Sequence, residues 1–343
     1  IDSKALGEID AVNEFLLTDL KSNSPEAYEK LIAAKYNFDV NANVNVTGFG
    51  FGYGITNSLT IYGFIPHYRA QISVDTIRTQ GNNYSQINSL LANSQNNTGV
   101  VLNMNDLPDI DEGLIQSVVQ NYYGYQPLGT WQADGLGDIE LGLKYRYLSW
   151  ANGGALVDTG IKLNNGRIDN PDIIQDIAFG NGHLGVFLET GVAQSFKKFD
   201  FSFSTRLDYS MPTTKALRPS ISSSDFQEDK LDFYISPGVK FSVNPNLTYK
   251  AKDWLSLSSG LLYEKKFSDS FQSINNEYDK KLESVSSWSA YTLKNSIEFS
   301  SVNLYLKKKF VAPLSLTLMM DKILAGTNTP DTTMYSLDLR LFF

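Results

Sequence analysis

Two histidines, His67 and His183, are the only imidazoles in the chain, and cysteine is absent. Disulfides, thiolate metal sites and thiol nucleophiles are thereby excluded, which leaves two residues for histidine acid–base chemistry. Neither stands in a nucleophile motif: His67 precedes Tyr68-Arg69, His183 precedes Leu184-Gly185, and no G-x-S-x-G elbow occurs. Gly135-Leu-Gly137 is a poor dinucleotide fingerprint, because a period-two stretch follows it instead of a helix whose N-terminus would hold a phosphate. Asp106, Asp109, Asp111 and Glu112 offer oxygen ligands, but their spacing is not that of a calcium loop, and Asp111 reads better as a helix cap. Lys307-Lys308-Lys309 reads as a charged rim. The expectation is a protein that is not an enzyme, with no catalytic residues, no metal and no cofactor.

The informative charged residues are those that alternate with apolar ones. Leu141, Leu143, Tyr145 and Tyr147 alternate with Glu140, Gly142, Lys144 and Arg146; Phe199, Phe201, Phe203, Leu207 and Tyr209 oppose Asp200, Arg206 and Asp208. A period of two places the two sets on opposite faces of a strand. One face is apolar throughout and the other mixes both charge signs, which is the division expected when one face meets lipid and the other meets water or polar partners. The inward set then comprises Asp138, Glu140, Lys144, Arg146, Glu189, Asp200, Arg206, Asp208, Lys240, Lys294, Glu298, Asp338 and Arg340. These either line a polar passage or pair with one another to fill a closed lumen. Arginine at Leu141 is expected to impair folding into lipid, whereas arginine at Gly142, on the inward face, need not.

The elements that would carry these residues follow from the same periodicity. Residues 3–36 read as two short helices, with Ser24-Pro25-Glu26 as a cap followed by proline in the first turn. Val40, Ala42, Val44 and Val46 begin a strand whose apolar phase shifts to Phe49, Phe51 and Tyr53, and a bulge at Thr47-Gly48 would explain the shift. Residues 73–134 lose the alternation and become rich in Asn, Gln and Ser, with one short helix capped by Asp111. From 135 onward strands return in pairs, joined alternately by tight turns (54–58, 149–152, 197–198, 250–253, 311–312) and longer polar loops. Bacterial outer-membrane barrels have this two-sidedness. Eleven strands are legible. An even count requires one more, for which Lys30–Phe38 is the first candidate, the other being helices that run through the lumen.

Composition agrees. Charged residues make up 19% and aromatics 13%, the net charge is −8, and no apolar run reaches the length of a helical span. A general nucleic-acid binder is excluded by that charge. The start at Ile1, without Met or leader, fits a removed signal peptide or a trimmed chain. The final stretch alternates Tyr335, Leu337, Leu339, Leu341 and Phe343 with polar residues and ends on an aromatic, and so resembles the assembly signal of outer-membrane barrels.

The expected fold is therefore all-β: a transmembrane antiparallel β-barrel of about twelve strands, ten or fourteen being the alternatives, with N-terminal helices and one long, partly helical loop. Its organisation would be a helical segment over 1–36 and a barrel over 37–343 that includes the 73–134 excursion. The segment Gly135-Leu-Gly-Asp-Ile-Glu-Leu-Gly-Leu-Lys-Tyr-Arg146 resembles a motif of outer-membrane proteins of the phenol meta-degradation pathway type, a family of channels for small apolar compounds. Gly52–Leu59 and Lys250–Leu257 resemble that family's strand–turn–strand units, and the added helical segments are distantly reminiscent of plugged fatty-acid channel proteins. The resemblance implies passive passage of small, largely apolar molecules through the outer membrane of a Gram-negative bacterium. A structural or lipid-organising barrel without a through pore is the alternative. Membrane lipid, the barrel-assembly machinery, small apolar solutes and further copies of the chain, as in a trimer, are the expected partners; nucleic acid is not.

Overall fold

The computed structural model describes residues 14–93, 103–107, 109–219 and 230–342. Helices α1 (Glu14–Asn23) and α2 (Pro25–Lys30) come first, with Pro25 in the opening turn of α2, where its missing N–H has no intrahelical partner to lose. Strands β1 (Lys35–Gly54) and β2 (Leu59–Gln80) then make a hairpin of 20 and 22 residues. At about 3.3 Å per residue it is roughly 65 Å long. Helix α3 (Tyr84–Asn93), a 3₁₀ turn (Met104–Asp106) and α4 (Glu112–Ser117) follow, and Asp111 caps α4 by accepting the Leu114 N–H, as the sequence predicts.

The remaining strands are β3 (Thr130–Leu136), β4 (Glu140–Trp150), β5 (Gly153–Lys162), β6 (Gly185–Phe196), β7 (Phe199–Ser210), β8 (Thr213–Leu217), β9 (Leu231–Ser236), β10 (Lys240–Lys252), β11 (Leu255–Lys266), β12 (Ser270–Gln272), β13 (Trp288–Ser300), β14 (Leu314–Thr327) and β15 (Thr333–Leu341). Helix α5 (Asn276–Ser286) precedes β13, and α6 (Val302–Leu306) follows it. Twelve strands form one antiparallel sheet, eleven along the path β1-β2-β4-β5-β6-β7-β10-β11-β13-β14-β15 and β3 paired to β2 beside β4. Strands β8, β9 and β12 form a second, small sheet. It continues the lines of β7, β10 and β11 past breaks such as 237–239, where Pro237 cannot donate to a ladder.

Three expectations are corrected. Lys30–Phe38 is not a separate strand: α2 ends at Lys30 and Lys35–Phe38 is the start of β1, so the twelfth strand is β3. No bulge occurs at Thr47-Gly48, because β1 and β2 pair in continuous register from Tyr36 to Gly54. The apolar residues change face without a change of backbone. Phe49, Phe51 and Tyr53 share the face of Leu141 and Leu143, while the residues before Gly48 put theirs on the opposite face, the face of Ile72 and of Val74, which packs on Leu128 and Val119. Finally, the connection after β13 is not a two-residue turn but a segment carrying α6, and Lys307 on it pairs with Asp253 of the β10–β11 turn at 2.5 Å.

The best-buried apolar cluster lies at the far end of the β1–β2 hairpin. Leu17, Leu20, Leu31, Ile87, Met104, Leu107 and Ile110 join the N-terminal helices to the first half of the 73–134 excursion. Asn83 clamps the two, its Oδ1 accepting the Ile32 N–H at 2.8 Å and its own N–H donating to the Ile32 carbonyl at 3.0 Å. Both segments therefore meet as one cap on an extended hairpin, about 16 residues beyond Phe64, where β4 stops pairing with β2. That is on the order of 50 Å. Leu31→Ala should cost the cap about 2–5 kcal/mol. Hydrogen exchange should then speed up in α1–α3 while β6, β7 and β10 keep their protection; equal loss in all of them would contradict a separately packed cap.

Candidate functional site

The polar face of the sheet gathers its charges into one cluster. Cross-strand register makes two rows on that face: Tyr62, Gly142, Gly160, Phe187 and Asp208 in one, Lys144, Asp158, Glu189 and Arg206 in the next. In the first row two glycines stand between two aromatics. A Cβ at Gly142 would overlap the Tyr62 ring, and one at Gly160 would fall against the Phe187 ring and the Leu141 carbonyl. Glycine is required at 160, where the Leu141 backbone closes on it, while a side chain at 142 has to displace the Tyr62 ring, a contact that the sequence does not reveal.

The rings carry the charges above them. Arg206 stacks on Phe187, 3.9 Å from its centroid, and donates to Glu140 and Asp208, both at 2.9 Å. Tyr62 donates its hydroxyl to Asp158 at 3.0 Å, and Asp158 also meets Lys144 at 3.3 Å. Lys162 lies 3.8 Å from Asp208. Three cations, Lys144, Lys162 and Arg206, thus face three anions, Glu140, Asp158 and Asp208. Bidentate and shared contacts of this kind hold side chains in place more than they stabilise the fold, since desolvation offsets much of the attraction.

Of the predicted inward residues, Glu140, Lys144, Arg206 and Asp208 come together, and Glu189 is in register beside them. The others lie elsewhere. Lys240 pairs with Glu264 at 2.6 Å, Lys294 with Asp321 at 2.8 Å, and Arg340 with Asp338 two residues away. Asp200 meets Lys250 at 2.7 Å near the β6–β7 turn, where Glu298 lines a separate cavity of about 430 Å³ among Lys197, Lys198 and Lys252. Arg146 donates to the Asn57 carbonyl of the first hairpin turn. Asp138 accepts the N–H groups of Gly166 and Asn181, and so ties the 163–184 connection to the sheet. Sequence reasoning missed Tyr62, Asp158, Lys162 and Phe187. Asp158 and Lys162 carry a usable signal, being polar residues at alternate positions of β5; Tyr62 sits in a stretch apolar on both faces and carries none.

The 163–184 connection and the end of the excursion close over the long-loop side. Asp172 takes Lys230 at 2.7 Å and Arg218 at 2.8 Å, and its carbonyl accepts the Gln126 N–H at 2.7 Å. Arg218 also donates to the Tyr123 carbonyl. Arg167 grips Asp176 with both terminal nitrogens and lies over Trp131. The histidines are structural contacts: His67 meets Asp134 at 3.2 Å, and His183 places Nδ1 3.0 Å from the Met211 carbonyl, burial holding its pKa below the usual value. Among the described residues no cluster of His, Cys, Asp and Glu is arranged for a metal. Asp109 is engaged by Arg78 and Asn82, and Asp111 by its helix.

A polar face of this design resembles the interior of a barrel wall, and known structures bear on that. Over 88% of this chain and 84% of its own, the COG4313 outer membrane channel from Pseudomonas putida F1 superimposes with a TM-score of 0.50 at 14% identity. The likeness is one of fold. An outer membrane protein of Vibrio cholerae, OmpT, covers 91% of this chain and 98% of its own, with a TM-score of 0.32 and 8% identity. No family model and no curated protein sequence matches the chain. The sheet thus has the fold seen in that Pseudomonas putida structure, in agreement with the expected all-β antiparallel architecture.

The Asp172 clamp sets a pH dependence. The hydrogen bond from Lys230, and after it that from Arg218, hold this carboxyl below its ordinary value of 3.8. A depressed carboxylate contributes stability that is complete above the unfolded value and is lost as pH falls through the folded one. Spin labels at Gln126 and Asn170 should keep one distance from neutral pH down to about 4 and spread at lower pH. In Asp172→Asn the spread should be present at neutral pH; an unchanged distance there would show that the clamp is not what joins the loops.

Proposed function

We propose that the chain is an integral outer-membrane β-barrel, its polar face turned to the lumen, which passes small, uncharged, largely apolar molecules. The observation that carries this reading is the contrast between the two parts of that face. On β4–β7 Lys144, Lys162 and Arg206 are paired with Glu140, Asp158 and Asp208, so the cluster mixes both signs and forms no ring of one sign to select an ion. On β1 the same face is Gly48, Gly50, Gly52 and Gly54, all exposed, with Phe64 and Tyr62 of β2 leaning beside them. Phe64 reaches over Gly48, where a Cβ would stand 2.6 Å from its ring. A stripe of bare backbone beside aromatic rings gives a solute room and a surface without charge.

The opposite face supports the placement in lipid. Phe49, Phe51, Leu143, Leu188, Phe201, Leu207, Leu318, Leu337 and Leu339 are all exposed there. Among the described residues no helix is long and apolar enough to cross a membrane, so any crossing is made by strands. Strands β6, β7 and β11, of 12 residues each, have the length of tilted membrane strands. Tyr335, Leu337, Leu339 and Leu341 on β15 would present the assembly signal; Phe343 lies outside the described residues.

The alternative, a barrel without a through pore, draws on the same paired cluster, and holds if Tyr62, Phe187 and Arg206 reach far enough from the wall to fill the lumen at their level. Truncation separates the two. Tyr62→Ala with Phe64→Ala removes the rings beside the glycine stripe and leaves the Arg206 pairs in place. In planar bilayers this variant should raise single-channel conductance severalfold over wild type, and vesicles should admit a small neutral tracer faster. Closed bilayers for both proteins, with the barrel folded, would favour the poreless reading.

A further inference from the structure

At the rim that carries the tight turns, charge runs against the balance of the whole chain. The net charge is −8, yet the cavity of about 430 Å³ at this rim is lined by Lys197, Lys198, Lys250 and Lys252 against two carboxylates, Asp253 and Glu298. Lys250 is neutralised by Asp200, and Asp253 by Lys307. Among the described residues Lys197, Lys198 and Lys252 have no carboxylate at ion-pair distance, which leaves three cations facing Glu298 alone. Lys309 adds to the excess: the hydrogen bond and charge of Lys307 hold the Asp253 carboxyl below its ordinary value, and the charge of Lys309 lowers it further. In a concave site an excess of one sign concentrates ions of the other.

The backbone points the same way. Among the described residues the non-glycine positions with left-handed φ are Asn152, Lys197, Lys308 and Asn328. Asparagine visits this region readily, whereas for lysine it is uncommon. Both lysines belong to this rim, Lys197 in the β6–β7 turn with φ of 51° and Lys308, between Lys307 and Lys309, with φ of 57°. Charge is kept where folding alone favours glycine or asparagine.

The cavity opens across the rim. Ser256 and Glu298 stand opposite each other on the polar face. Trp254 stacks on Phe299 of the apolar face at 6.3 Å and has the Lys252 ammonium 5.3 Å from its ring. Phe199 and Tyr249 meet at 5.2 Å on the neighbouring strand ends. Such rings form the interfacial girdle of a membrane barrel, at the depth of the lipid headgroups.

We propose that this cavity binds a phosphate group. Lysines from two turns act as point charges arriving from several directions, which suits a tetrahedral group with oxygens all round better than a planar carboxylate. The group comes from an anionic phospholipid of the facing leaflet or from a soluble phosphate, and both present the same oxygens. The lipid source rests on the membrane placement proposed above. Passage of a solute plays no part, so a barrel that conducts nothing would leave the site intact.

The full chain is placed in nanodiscs of phosphatidylcholine, whose choline balances its phosphate, and titrated with sodium phosphate. The readout is the indole N–H NMR signal of Trp254, assigned with Trp254→Phe. A saturable shift is expected for a soluble source, with sodium acetate at equal ionic strength giving little. For a lipid source, nanodiscs of phosphatidylglycerol should shift the signal before any phosphate is added. Lys197→Asn with Lys198→Asn suits the turn as well as the wild-type pair does, and should weaken phosphate binding about tenfold or more and remove the phosphatidylglycerol shift. Lys265→Asn with Lys322→Asn takes equal charge from exposed positions at the other rim and should change neither. Glu298→Gln should tighten binding, a gain that a misfolded variant cannot give. No saturable shift in phosphatidylcholine together with no shift in phosphatidylglycerol, an equal response to acetate, or an equal loss in the two double variants would overturn the site.

Discussion

Inside hydrocarbon every backbone N–H and C=O has to be paired within the protein, and most of this structure follows from that demand. Successive strands satisfy it by antiparallel ladders from β1 to β15. The ends of the path are what remain. Among the described pairings β1 and β15 each have one neighbour along it, and nearly every residue of both is exposed. The eleven-strand path also fixes their relative direction. β1 ends at the first tight turn, and β15, ten connections later, ends on the same side, so direct pairing of the two is parallel. A wall that sits in lipid has to join them.

The interior is governed by a second constraint, that of fitting bulky rings against a wall of fixed strand spacing. Placing glycine at 142 and 160 lets Tyr62 and Phe187 lie flat on the sheet, and those rings position Arg206 and Asp158. The charge pairs are thus organised by an apolar contact. On β1 the same residue type has the opposite consequence, because Gly50 and Gly52 have only ordinary contacts above them and leave space. Where the hairpin leaves the sheet, its inner face becomes apolar again, since it there meets Leu128 and the 163–184 connection instead of water.

Alternation was legible wherever a strand has one lipid-like and one polar face throughout, as in β4, β7 and β15, and so were four of the five tight turns and the Asp111 cap. Reading failed where the environment of a strand changes along its length. The phase change at Gly48 looks like a bulge in sequence but is a change of surroundings at constant register. The cluster was half legible: Glu140, Lys144, Arg206 and Asp208 announce themselves by charge and spacing, whereas Tyr62 and Phe187 are aromatics among aromatics. Their role depends on which glycine lies opposite, and register across strands distant in sequence is not written in any one of them. The cap was hidden for a related reason, because α1 and α3 each expose an ordinary amphipathic pattern whose partner is a segment about 70 residues away.

Closure of the wall is the most direct test of this account. Single cysteines on β1 at Phe49, Phe51 or Tyr53, each combined with one on β15 at Leu337 or Leu339, are oxidised in protein folded into bilayers. The account predicts an intramolecular disulfide for at least one pair, in a register that a parallel ladder explains, with the cross-linked chain remaining monomeric. Cross-links found only between two copies, or none in any pair of a folded protein, would contradict a barrel closed by its own first and last strands.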